Sequence, residues 1–196
     1  MARRNCSRDL KTVTQQSGLF LDQFSKESDR AVSILAVCLL DDMLEKIIQA
    51  SYVRDPKVKT LFKNDHILQS FHSKVNIAYF SGLIPKVFYH DLQLIGEIRN
   101  KFAHAVVADL KFSHPMIAAR IDKFELGCFQ IPELSVLRRR FSFVVAQIVG
   151  VLRIIEQLVY LDKSRPLINL YTSNEELVKR TLLPENKVRA FLQEHQ

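Results

Sequence analysis

The sequence predicts an all-α protein, and two observations carry that prediction. Glycine and proline are scarce, with 5 and 6 in 196 residues, so few positions interrupt a helix. Leu, Ile, Val, Phe and Ala fall in long runs whose apolar positions recur every three or four residues, the spacing that gathers them on one helical face. A chain of this length makes one ordinary domain, or a domain with a small appendage, and can bury a continuous core.

Residues 1–18 are polar, basic and aperiodic and read as a flexible arm. The first strong helix begins at Ser28 or Asp29, either of which can cap it, and runs to about Val53. Its apolar surface is wide at first, which predicts an early half buried on most sides, while Asp41, Asp42 and Glu45 mark a solvated acidic face. Asp55-Pro56 ends it, because a residue before proline avoids the α region. After the mixed segment LFKNDHILQS, a helix from Phe71 to Ser81 stops at Gly82, a residue suited to the left-handed conformation. Pro85 opens the next helix, where its missing N–H costs little, and Phe88, Leu92, Ile95, Ile98 and Phe102 form the packed side. A short helix covers Pro115 to Lys123, and Gly127 and Pro132 bracket a loop. A long helix from about Leu134 to Tyr160 carries Phe141, Val144, Ile148, Leu152 and Ile155 and is the natural partner of the first helix. Pro166 closes the main domain, read as residues 19–163.

The net charge of +7 and pI near 9.4 favour polyanionic partners, because each Lys or Arg placed on a phosphate releases a condensed counterion. The basic residues are scattered, apart from Arg3, Arg4, Arg8 and Lys11 and the run Arg138, Arg139, Arg140, so a merely solvated positive surface competes with that reading. Cys6, Cys38 and Cys128 are odd in number and lack CxxC spacing, which argues against a metal site or a disulfide framework and fits a reducing cytoplasm. No GxGxxG, P-loop, HExxH or GxSxG motif occurs, so no cofactor is expected. His66, His72, His90 and His114 are dispersed and read as surface or loop residues. The most apolar stretch, Phe143 to Leu152, is too short to span a bilayer, and no membrane association is expected.

The segment EIRNKFAH, residues 97–104, places Arg99, Asn100 and His104 on an otherwise packed helix. A structural account has Asn100 satisfying a buried carbonyl, Arg99 pairing with Glu97 or Glu45, and His104 ending the helix against its dipole. A functional account uses the guanidinium over a phosphate, the imidazole for proton transfer and the amide for orientation. Arg99 and His104 are five residues apart, so roughly 140° separates them on a straight helix, and their convergence needs a bend, long reach or a second copy.

The arrangement R-N-x-x-x-H resembles the signature of the HEPN superfamily, compact helical proteins many of which cleave RNA without metal as dimers. The segments 29–48 and 68–105 resemble the bacterial mannitol operon repressor family, which is helical and described as transcriptional regulators. The likeness is carried by F-x-x-K-x-x-x-A-Y-x-x-G-L-I (Phe71, Lys74, Ala78, Tyr79, Gly82, Leu83, Ile84) and by Y-x-D-L-x-L-I-x-x-I-R-N-x-F-A-H from Tyr89. These resemblances imply a HEPN-like bundle of four to five helices and a cytoplasmic regulator acting through nucleic acid or a protein partner. The ribonuclease implication gives His104 proton transfer at the ribose 2′-hydroxyl, Arg99 the phosphate charge and Asn100 orientation, in a site shared by two chains of a homodimer. A catalytically silent helical adaptor is the third reading.

Residues 164–196 read as a helical hairpin, 174–181 and 185–194, joined at Leu182, Leu183 and Pro184. It resembles the DNA-reading helix pair of many repressors, with Lys179, Arg180, Lys187 and Arg189 facing out toward phosphate. Val178 stands where that motif has a small alanine, and Leu182 where its turn has glycine. A hairpin docked on the main domain, or an element that makes a dimer, fits the same pattern.

Overall fold

A computed structural model describes residues 26–52, 56–63, 66–105, 110–126 and 136–161. The described residues form five α-helices, α1 (Asp29–Ser51), α2 (Phe71–Phe80), α3 (Lys86–His104), α4 (Pro115–Ile121) and α5 (Leu137–Leu161), with a 3₁₀ helix, Pro56–Phe62, after α1. They contain no strand, as an all-α reading requires. The basic arm and the C-terminal hairpin lie outside the described residues.

Local chemistry sets the helix ends. Ser28, not Asp29, caps α1, its hydroxyl accepting the Ala31 N–H at 3.2 Å. Asp29 is thereby free to bind elsewhere. Helix α2 ends at Gly82 with φ 70°, where Leu83 N–H reaches the Ala78 carbonyl and Gly82 N–H the Tyr79 carbonyl. This double closure needs the left-handed residue that glycine supplies. Pro85 precedes α3 as its extended cap rather than standing as its first helical residue. His114 caps α4, its Nδ1 accepting the Met116 N–H at 3.3 Å, ahead of Pro115.

Helices α1 and α5 share the largest interface, α3 packs on α1, α2 lies across α1 and α3, and α4 bridges α3 and α5. Asp29 opens α1 and pairs with Arg138 in the first turn of α5, so those two helices start at the same end. Arg30 donates to the carbonyl of Ala105, just past α3, so α3 finishes there. Gly96 lets α3 approach α2 closely, since a Cβ there would meet the Phe71 ring at 3.3 Å. Phe102, Phe112, Phe124 and Phe141 form a buried ring cluster that joins α3, the segments flanking α4, and α5.

Three sequence expectations change. The early half of α1 is not buried on most sides, because Ile34, Leu35 and Cys38 are exposed. The apolar part of α5 is longer than Phe143–Leu152: the window Leu137–Val159 is long and apolar enough to cross a membrane by length and composition. Its apolarity serves the core, since 61% of that window is buried, with Phe141, Val144, Ile148 and Leu152 fully enclosed. The acidic face of α1 is also not simply solvated. Lys74, only 3% exposed, lies 2.8 Å from both Asp41 and Glu45 and 5.9 Å from the centre of the Phe62 ring. Only Asp42 stays exposed, paired with Lys46.

Asp91 is the second buried charge, at 0% exposure. Its Oδ1 accepts the Glu125 N–H and its Oδ2 the Leu126 N–H, both at 2.9 Å, which clamps the segment after α4 onto α3. Burial pushes the Asp91 carboxyl up from the usual range, against the N–H donors and His90, which pull it down.

Candidate functional site

The two groups of basic residues singled out in the described chain come to one end of the bundle. Asp29 joins them. One of its oxygens takes the Phe112 N–H at 2.8 Å, and the other takes Arg138 Nη1 at 2.7 Å. Arg138 also reaches the Glu27 carbonyl. The neighbouring Arg30 holds the Ala105 carbonyl at 2.8 Å, one residue beyond His104. The start of α1, the end of α3 and the start of α5 are therefore cross-tied, and Arg139, Lys101, His104 and Lys111 stand exposed around that junction.

Most acids near this end are already committed, the exposed Glu27 carboxylate being the exception among the described residues. Asp29 is paired with Arg138, Glu97 with Arg120 at 2.8 Å, and Asp122 with Arg140 at 3.1 Å. By contrast Lys101, Lys111 and Arg139 form no ion pair among the described residues. The outcome is a surface on which exposed cations outnumber the carboxylates left to balance them, the electrostatic condition for attracting an acidic macromolecule.

The structural account of Arg99, Asn100 and His104 fails at two of its three points. Glu97 is bound to Arg120 and Glu45 to Lys74, so neither pairs with Arg99. Asn100 is exposed and satisfies no buried carbonyl. His104, the last residue of α3, does sit where the helix dipole favours a cation. Helix α3 runs unbroken through the motif, so the wide angular offset between Arg99 and His104 persists. Arg99 is half-buried, with its Nε enclosed and unpartnered, while His104 is exposed. One chain brings Asn100 and His104 together on a surface but does not aim Arg99 at the same point.

A different surface forms at the far end of α3. Its 19 residues span about 28 Å. There Tyr79 and Tyr89 stack at 4.4 Å between ring centres, and Phe80, 74% exposed, lies beside both. Sequence reading passed over this cluster because its rings come from two helices and meet only after the turn at Gly82. It also passed over Arg30, which looks like an ordinary first-turn residue, and read Asp29 only as a possible cap. Lys179, Arg180, Lys187 and Arg189 lie outside the described residues.

Comparison with known proteins gives a likeness of fold. A chain in the X-ray structure of the MtlR-HPr complex from Escherichia coli aligns with a TM-score of 0.54 at 17% identity, covering 76% of this chain and 99% of that one. No family model and no curated protein matches the sequence.

Proposed function

We propose that this chain is a regulatory protein of the mannitol operon repressor type that works by binding a macromolecular partner at the basic end of its bundle. The observation that carries this reading is the fold likeness, which extends over 99% of the chain from the MtlR-HPr complex. A protein partner comes first because that neighbour is in complex with HPr. The unpaired Lys101, Lys111 and Arg139 support an acidic contact surface on the partner. Transcriptional control through nucleic acid is the finer reading, served by Arg139 and by Lys179, Arg180, Lys187 and Arg189 of the tail, whereas Arg138 and Arg140 of the same run are held by Asp29 and Asp122.

Calorimetric titration of the full-length chain with HPr from the same organism tests this. Saturable binding that weakens with added salt is expected, and the double variant Lys101→Glu/Arg139→Glu should bind about tenfold or more weakly. No heat and no co-elution at about 100 μM of each protein removes HPr as the partner. Binding to the chain's own upstream DNA in its place, with a steep salt slope, favours nucleic acid.

A second reading, the metal-independent ribonuclease, is favoured by one observation: Asn100 and His104 are both exposed, and among the described residues Asn100 makes none of the internal hydrogen bonds that would explain it structurally. The offset of Arg99 makes a second chain necessary for a complete site. Total RNA incubated with the protein in EDTA should be cut to 2′,3′-cyclic phosphate ends, and His104→Ala should abolish the cutting while leaving thermal unfolding unchanged. Intact RNA with the wild-type chain eliminates this reading.

A further inference from the structure

His90 is held differently from the other described histidines. Its Nδ1 lies 3.1 Å from Asp91 Oδ1 and 3.5 Å from Glu125 Oε1. Asp91 cannot swing away, because the backbone N–H groups of Glu125 and Leu126 hold both its oxygens. Two carboxylates facing one ring nitrogen assign the proton to Nδ1 and leave the lone pair of the neutral ring on Nε2. That nitrogen makes no hydrogen bond among the described residues, and the side chain is 38% exposed. His114 has the opposite tautomer: its Nδ1 accepts the Met116 N–H, so its neutral ring carries the proton on Nε2. His66, His72 and His104 are exposed, with no carboxylate within ion-pair distance among the described residues.

We propose that Nε2 of His90 is a phosphoryl-accepting nitrogen, charged by a donor of the acyl phosphate or phosphoramidate class. A carboxylate-oriented imidazole with a free Nε2 is an activated nucleophile. The Nε2 lone pair attacks phosphorus and forms the N–P bond. The donor's P–O or P–N bond breaks, and its electron pair leaves with the carboxylate, or with the amine, which takes a proton from water. The ring keeps the Nδ1 proton, so the positive charge it acquires lies against Asp91 and Glu125, which stabilise it. Lys86, exposed one turn earlier on the same face of α3, attracts the phosphoryl oxygens. Because the ring stands at the surface, the donor can be a small molecule or a group carried by another protein.

The experiment treats the full-length chain with acetyl phosphate and, separately, with phosphoramidate, locating the label by mass spectrometry and its ring position by phosphorus NMR. His90 should be labelled on Nε2 faster than every other histidine by on the order of tenfold. Glu125→Gln should slow His90 labelling several-fold and leave the other histidines unchanged. His90→Asn should remove that label while circular dichroism and thermal unfolding stay as in the wild type. Labelling spread evenly over the histidines, a label on Nδ1 of His90, or a rate insensitive to Glu125→Gln would each overturn the assignment.

Discussion

Phe141→Ala should lower the free energy of unfolding by about 3–5 kcal/mol, the range for deleting a fully enclosed aromatic ring. Phe141 is 0% exposed and stands 4.8 Å from Phe112 and 6.3 Å from Phe124, measured between ring centres. Phe112 in turn packs edge-on against Phe102 of α3. Its removal thus opens a cavity where three elements meet, and close packing leaves few atoms free to collapse into it. The same cluster underlies the basic end, since the N–H of Phe112 is the one that Asp29 accepts. Partner binding at that end should weaken along with stability. Urea unfolding followed by circular dichroism measures the first effect, and a loss under about 1 kcal/mol would show the ring to be dispensable.

Lys74→Ala should cost about 2–3 kcal/mol, below the full penalty of a broken buried pair because Asp41 and Glu45 are about a third exposed and water can partly rescue them. Lys74→Met, which keeps the apolar stem, should lose less. The pH dependence identifies the cause. Burial pulls the Lys74 ammonium down, but the hydrogen bonds and charges of Asp41 and Glu45 together outweigh it, holding the group above its ordinary value. Stability from a raised lysine pKa is fully present below the ordinary value and is lost as pH climbs through the raised one. The gap between wild type and Lys74→Met should therefore be wide at neutral pH and close in strong alkali. A gap that does not move with pH would assign the loss to packing alone. Tyr52, also raised by burial, titrates in both proteins and cancels in the comparison.

Much of the motif that suggested a family turns out to encode architecture. In F-x-x-K-x-x-x-A-Y-x-x-G-L-I, Phe71 seats against Gly96, Lys74 ties α2 to α1, Ala78 supplies the carbonyl that closes the helix, and Gly82 provides the left-handed turn. In the second motif Asp91 clamps the segment after α4, and Leu92, Ile95, Ile98 and Phe102 fill the core. Arg99 and Asn100 are what remains once those structural duties are assigned, and His104 adds an exposed imidazole at the helix end, which is why the three keep their place as functional candidates.

Helix positions, the glycine stop at Gly82 and the pairing of α1 with α5 were legible in the linear chain, because periodicity and glycine geometry act over a few residues. The caps were legible only in part: Ser28 was one of two candidates, Pro85 was placed one position inside its helix and the His114 cap was not read. Burial and partnership were not legible. Asp41 and Glu45 look solvated until α2 delivers Lys74 to them from 29 or more residues away. Arg138 and His104 look like separate sites until residues 29 and 30 tie their helices together. His90 looks like any surface histidine until Glu125 folds back against it. Charge and reactivity depend on distances across the fold, and tertiary packing alone sets those distances.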